Sequence, residues 1–421
     1  MNTPRAVKGM NDILPHEVGR WHRLEREFRK TVESYGFGEI RTPLVEPTEL
    51  FTRSIGEATD IVEKEMYTFA DKGEKSLTLR PEGTASCARA YLEHTIHARE
   101  AVTRWYYMGP MYRRERPAKG RYRQFHQAGC EVYGDHGPFV DAEVIDMVVS
   151  FLERVGVKDI RVLVNSLGGP ETRARYRTAL LDYLAPQREK LSADSQRRLE
   201  TNPLRILDSK APEDQAIAEG APSILDFLSE EDRKHFDLLV GTLESLGTPF
   251  EIERRLVRGL DYYSRTLFEI QGRGGELGAQ NALAGGGRYD AMIEELGGPS
   301  IPAFGFALGI ERLLLAMSEE APATEDRVVI LAANDRARTE ATVLARALRL
   351  ADHRVETDLR PTASLKSQLR RADRSGARLV LILGEDELAR GVVQWKRLDA
   401  DKKGEVSRDA LLGQLRALLD D

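Results

Sequence analysis

The residues best equipped for chemistry crowd into one stretch, 104–134, RWYYMGPMYRRERPAKGRYRQFHQAGCEVYG, whose first two-thirds set Arg104, Arg113, Arg114, Arg116, Lys119, Arg121 and Arg123 against a single acid, Glu115. Its aromatic flanks alternate with period two and its middle holds Pro117 and Gly120, which predicts two strands joined by a long basic loop. A solvated hairpin would account for the charge. It would not account for Gln127 and Glu131, which alternate with apolar residues on the returning strand and need polar partners if buried. Cations over a polar strand suit a polyphosphate lying beside a small polar substrate. A second candidate is Glu82 in SLTLRPEGTASCARAYLEH, a stretch that reads as strand, turn and helix. Thr84 is placed to cap that helix, which aims the Glu82 carboxylate into a site beyond the sheet edge. A favourable charge on the helix dipole explains the same glutamate.

The order of these residues is closely similar to motif 2 of the class II aminoacyl-tRNA synthetases, and specifically of the histidyl-tRNA synthetase family. RPEGT (80–84) matches the same family, RGLDYYSRTLFEI (258–270) resembles its histidine-specific signature, GGGRYD (285–290) its glycine-rich strand and GFALGIERL (305–313) its motif 3. The likeness runs from KGMNDILP (8–15) into the C-terminal region, so it covers essentially the whole chain. It implies an α+β catalytic domain built on an antiparallel sheet over 1–325, a helical insertion at about 171–250, and a C-terminal α/β anticodon-binding domain over 328–421. The reaction it implies is ATP-dependent activation of histidine to histidyl-adenylate, then transfer of the histidyl group to the 3'-terminal adenosine of tRNA(His). By the same resemblance Arg113 holds the α-phosphate with Arg258 opposite, where related synthetases place a metal ion, and Arg121 and Arg312 hold the outer phosphates. Magnesium would come bound with ATP rather than to a protein metal site. Glu82, Gly83, Thr84 and Gln127 would hold the amino-acid backbone end, and Glu131 with Tyr262 or Tyr263 would read the imidazole. One departure stands out: Ser264, Arg265 and Thr266 follow the tyrosines where the family usually has Thr-Gly-Thr.

The elements that must position these groups are legible in part. Trp21, Leu24, Phe28 and Val32 fall at helical spacing and Gly36 ends the run, so 16–35 is predicted helical. FGEIRTPLVEPTELF holds Pro43 and Pro47 and reads as an edge strand and turn. It resembles motif 1, which implies a homodimer. DAEVIDMVVSFLERV (141–155) is an apolar-striped helix and IRVLVNSLG a buried strand. Residues 171–250 carry many charges and no strand pattern; Arg173, Arg175, Arg177, Arg188 and Lys190 fit either an RNA-facing insertion or a solvated helical subdomain. On a strand, Tyr262 and Tyr263 would point to opposite faces, leaving one for the pocket unless a bulge intervenes. The glycines of GGGRYD would let backbone lie flat against a bound ring. After the acidic linker SEEAPATEDR (318–327), strands and helices alternate, with helices at about 336–351, 363–374 and from about 406. No G-x-G-x-x-G accompanies them, which speaks against a dinucleotide site. Lys366, Arg370, Arg371 and Arg374 share one helix, as a phosphate-facing stripe or a solvated face.

Composition bounds the rest. The chain has 421 residues, enough for two or three domains, with 31% charged and 41% hydrophobic residues, as in ordinary globular proteins. A net charge of −6 disfavours indiscriminate nucleic-acid binding, so tRNA would be met by local basic surfaces. No apolar run approaches a bilayer span and the N-terminus lacks a signal-peptide core, which predicts a cytoplasmic protein and no membrane partner. Cys87 and Cys130 are isolated, which predicts buried thiols. Two alternatives compete: a non-catalytic regulatory subunit of histidine biosynthesis, which usually lacks RGLDYY and the C-terminal domain, and a class II synthetase for another amino acid.

Overall fold

A computed structural model of the chain describes residues 3–56, 59–273, 281–317, 326–358, 360, 363–400 and 402–420. It divides into two units, Met1–Glu319 and Glu320–Asp421. Most of the acidic linker expected at 318–327, residues 318–325, lies outside the described residues.

In chain order the strands of the first unit are β1 (Gly38–Glu39), β2 (Val45–Pro47), β3 (Tyr67–Ala70), β4 (Ser76–Leu79), β5 (Thr103–Tyr112), β6 (Gln124–Tyr133), β7 (Ile160–Ser166), β8 (Glu251–Ile252), β9 (Ser264–Gly272), β10 (Ala282–Arg288) and β11 (Ala303–Gly309). Eight form one sheet in the order β1-β5-β6-β11-β10-β9-β7-β8, and β2-β4-β3 form a small second sheet. The large sheet is antiparallel from β5 to β7; only its short edge strands β1 and β8 pair in parallel. The basic stretch is the β5–β6 hairpin, in register from Thr103↔Tyr133 to Tyr112↔Gln124.

Strand periodicity decides which face of β6 does what. Ala128, Cys130 and Val132 join Phe268, Ile270, Phe304 and Phe306 in the core, which is covered by Leu24 and Phe28 of helix Pro15–Ser34, by helix Pro138–Arg154, and by Phe236, Leu239 and Leu243 of helix Glu230–Leu246. Each such side chain, fully buried, contributes about 1.5–3 kcal/mol. Gln127 and Glu131 point the opposite way by the same alternation, so the polar face is free to carry a site.

Several elements differ from the sequence reading. Residues 48–51, expected to continue an edge strand and turn, begin helix Thr48–Ile55, because Leu50, Phe51, Ser54 and Ile55 are spaced for one buried helical face. Between 170 and 246 all regular structure is helical, but the last helix, Glu230–Leu246, belongs to the sheet's own core. The preceding ones pack Tyr176, Leu180, Leu199 and Ile206 against Tyr262, Tyr263 and Tyr289.

The second unit is a mixed sheet of β12 (Val328–Ala332), β13 (Val355–Thr357), β14 (Leu379–Leu383), β15 (Val392–Arg397) and β16 (Lys403–Ser407), ordered β13-β12-β14-β15-β16. Its first three strands are parallel and β14-β15-β16 antiparallel. The helix expected from about 406 therefore starts later, at Leu411: residues 403–407 pair with β15. Helix Glu385–Arg390 follows β14, so βα alternation breaks only after β15, which is followed directly by β16. Helix Leu365–Arg374 carries the basic stripe.

Candidate active site

A cavity of about 290 Å³ opens on the polar side of β6, β10 and β11, and Glu82, Thr84, Arg113, Arg121, Gln127, Arg258, Tyr262, Tyr263 and Arg312 all line it. Of the sequence-derived candidates, Gly83 and Glu131 do not. Gly83 has a packing role instead, since a Cβ there would come within 2.3 Å of the Tyr107 ring.

Besides Arg205, four arginines line the cavity, and the chain holds each differently. Arg113 donates from Nε to the Pro81 carbonyl at 2.9 Å and sits 5.2 Å from the centre of the Phe125 ring. It makes no ion pair among the described residues, and burial lowers its pKa against the pull of Glu65 and Glu82. Arg312 donates to the carbonyls of Gly120 and Ala282, each at 3.0 Å. Burial and then Arg113, Arg121 and Arg258 push its pKa down as well. Arg121 is paired with Glu115 and lies 3.8 Å from Glu65. Arg258 is paired with Glu269; burial works against its charge, but Glu269 and the two tyrosines outweigh that and raise its pKa. Like charges so concentrated make a site for a polyanion. Gly285 serves this wall: its missing Cβ leaves room for the Arg258 guanidinium, whose atoms would otherwise lie 2.4 Å away.

The acceptor side is built on the turn after β4. Helix Thr84–Glu93 has no side-chain cap from Thr84, contrary to expectation. Glu82 does that work, accepting from the backbone N–H of Thr84 at 2.7 Å and of Ala85 at 2.9 Å. Burial raises the Glu82 pKa while these N–H groups pull it back. Thr84, as first helical residue, is left free to donate its hydroxyl to Glu131 at 2.7 Å, and the Tyr289 hydroxyl donates to the other Glu131 oxygen. Glu131 is 0% exposed and stands one layer behind the cavity wall; burial pushes its pKa up to about 8 despite the two hydroxyls. Gln127 faces the cavity with its Oε1 buried and without a hydrogen-bond partner among the described residues.

Tyr262 and Tyr263 both line the cavity, their ring centres 4.6 Å apart. They sit in the turn before β9, so strand alternation does not apply to them. The odd Arg265 explains itself here. Its φ of +41° is in the left-handed region where glycine is usual, and Asp232, 3.1 Å from its Nε, together with Glu231 holds the guanidinium.

Sequence reasoning passed over Tyr289, Glu269 and Arg205. Tyr289 lay inside the quoted GGGRYD. Glu269 lay inside the quoted RGLDYYSRTLFEI, 11 residues from Arg258, and Arg205 is signalled by nothing local. The buried Arg288, whose Nε donates to Asp141 at 2.9 Å, ties β10 to helix Pro138–Arg154 beside Tyr289. Cys87 and Cys130 are buried free thiols, as expected.

A histidyl-tRNA synthetase family model matches residues 9–313, and an anticodon binding domain model matches 327–418. The chain belongs to the histidyl-tRNA synthetase family. It is 56% identical over 416 residues to the histidine--tRNA ligase of Sorangium cellulosum, covering 99% of this chain and 96% of that protein. To the enzyme of the same name from Syntrophotalea carbinolica it is 50% identical over 416 residues, covering 99% and 98%. Among solved structures, the apo histidyl-tRNA synthetase of S. aureus superposes with a TM-score of 0.83 at 35% identity, covering 98% of this chain and 99% of that one. A Bacillus halodurans protein described as an ATP phosphoribosyltransferase regulatory subunit/histidyl-tRNA synthetase shares the fold at 24% identity and a TM-score of 0.66. The first unit is the family's antiparallel catalytic fold and the second its anticodon-binding domain; the regulatory-subunit alternative is not favoured.

Proposed function

We propose that the cavity of this histidine–tRNA ligase activates histidine by lining ATP along its arginines and the amino acid along its acceptors. The histidine carboxylate attacks the α-phosphorus, the bond to the β-phosphate oxygen breaks, and histidyl-adenylate and pyrophosphate form. The terminal ribose hydroxyl of tRNA(His) then takes the acyl group and AMP leaves. Arg113 and Arg258 hold the α-phosphate, and Arg121 and Arg312 the outer phosphates. Glu82, Thr84 and the unpartnered Oε1 of Gln127 accept from the α-ammonium, with Gly83 shaping that turn. Tyr262 or Tyr263 and Glu131 read the imidazole, with Tyr289 carrying the contact from Glu131 to the cavity. Among the described residues no group of three His, Cys, Asp or Glu side chains could hold a metal ion. Magnesium would come bound with ATP, on its phosphate oxygens, and offset their charge.

The observation that carries this reading is the juxtaposition of a four-arginine wall, with Arg113 lacking any carboxylate, and a wall of acceptors across the same cavity. ATP–pyrophosphate exchange with each amino acid in turn tests it. Histidine alone should support exchange; exchange driven equally by another amino acid would move the chain to a different class II specificity.

The same reading gives the second unit to the tRNA anticodon, supported by the groove where Arg360, Lys366, Arg370, Arg371 and Arg374 gather. It also includes a homodimer, supported by an apolar groove lined by Ile40, Leu50, Leu92, Ile96 and Trp105 in the motif 1 region, and a cytoplasmic location. Among the described residues no helix is long and apolar enough to cross a membrane.

A further inference from the structure

The helical stretch between β7 and β8 reaches the cavity through one side chain. Arg205, in the 3-10 turn Pro203–Ile206, lines the cavity and donates from Nη1 to the main-chain carbonyl of Arg258 at 2.9 Å. Residues 253–263 run between β8 and β9 without regular structure, and among the described residues this is the only hydrogen bond on the Arg258 main chain. Two further bonds from the same helical stretch hold the same segment: Asn202 Nδ2 donates to Asp261 Oδ1 at 2.8 Å, and Arg173 to the Tyr263 carbonyl at 3.4 Å. At its far end the Arg258 guanidinium is fixed by Glu269 and by the bare backbone of Gly285. An arginine side chain has several rotatable bonds, so fixing its tip defines a geometry only if its backbone is also held.

We propose that Arg205 is a positioning residue for adenylate formation, setting Arg258 from behind. The inference rests on the reading of Arg258 as an α-phosphate donor. It makes the helical stretch a working part of the first chemical step, which needs no tRNA. The competing possibility is that Arg205, already on the cavity wall, touches a substrate phosphate itself.

A double-mutant cycle on the full chain separates these, read as the rate of histidine-dependent ATP–pyrophosphate exchange. Arg205→Ala should lower kcat by about 10- to 100-fold, the loss typical of one displaced charge-assisted contact, with little change in KM for ATP. Arg205→Gln, which keeps a donor for the carbonyl without the charge, should recover most of the loss. In an Arg258→Ala background, Arg205→Ala should cost nothing further, and transfer from preformed adenylate to tRNA should fall much less than exchange in the Arg205 single variants. Losses that multiply in the double variant, or a raised KM for ATP at unchanged kcat, would overturn the proposal in favour of direct contact. A Gln variant as slow as the Ala variant, with an equal fall in melting temperature, would reduce Arg205 to a structural role. The failure of the underlying reading looks different: Arg258→Ala alone would then exchange at the wild-type rate.

Discussion

Replacing Glu131 by glutamine should make the protein progressively more stable than wild type as pH rises. Folded Glu131 keeps its proton up to about pH 8 against an ordinary 4.5, because burial penalises the anion. Between those values the folded state binds a proton that the unfolded state has released, so stability falls as pH rises through the window and levels off above about 8. Full displacement from 4.5 to about 8 is worth roughly 5 kcal/mol. Between pH 5.5 and 9 about 3 kcal/mol of it should be lost, roughly 5 °C in melting temperature for a unit of this size. Glutamine is an isostere of the protonated carboxyl and can still meet both hydroxyls, so the variant should match wild type at pH 5.5 and exceed it at pH 9. The assay is thermal unfolding of both full-length proteins, without ligands, at several pH values. A difference between them that stays constant from pH 5.5 to 9 would refute the reasoning, since no other group changes in the substitution. Glu131→Ala, which removes the acceptor of both hydroxyls altogether, should instead lose histidine affinity far more than ATP affinity.

Other outcomes follow from the site. Arg258→Ala should slow adenylate formation by about 10²–10³, as loss of one transition-state donor does, while leaving folding and transfer from preformed adenylate nearly intact; near wild-type exchange would return Arg258 to a merely ion-paired residue. Deleting residues 328–421 should abolish most tRNA charging and preserve measurable pyrophosphate exchange, since each unit has its own core; unchanged charging would remove the anticodon reading. Arg265→Gly should melt within about 1 kcal/mol of wild type, relief of the positive φ offsetting lost, partly exposed ion pairs and glycine's extra entropy. Arg265→Val should cost about 2 kcal/mol more, and equal melting of the two would show that backbone strain is not the determinant.

The sequence carried the site unevenly, and the reasons are physical. The β5–β6 hairpin was legible because period-two alternation and a Pro/Gly-broken basic loop are local signals, and they sufficed to put Arg113, Arg121 and Gln127 on one cavity. Depth along the normal to the sheet has no such signature. Glu131 and Gln127 share a face, yet one is a layer behind the wall because Thr84 and Tyr289, distant in sequence, stand over it. Alternation also misled where it was applied to a turn: Tyr262 and Tyr263 share the cavity because neither is in a strand. Thr84 was the reasonable cap by residue type, but the glutamate two residues earlier reaches the same N–H groups and frees the hydroxyl for Glu131. Arg205 was beyond reach, since its partner is a carbonyl 53 residues away and backbone acceptors leave no mark on sequence.

The four arginines divide by what the chain gives them, and the division fits the chemistry proposed. Arg113 has only a carbonyl and an aromatic face, so an incoming phosphate takes the place of no carboxylate and relieves a buried charge. Arg258 keeps Glu269 on one side while its buried Nε lacks a partner among the described residues, which leaves a fixed donor with capacity to spare. A donor already oriented before reaction suits charge that grows on the α-phosphoryl oxygens only as the carboxylate attacks. Arg121 is the opposite case, since Glu115 already pairs with it. Gripping an outer phosphate means exchanging one anion for another, which weakens ground-state binding but gives the arginine a partner to return to when pyrophosphate departs.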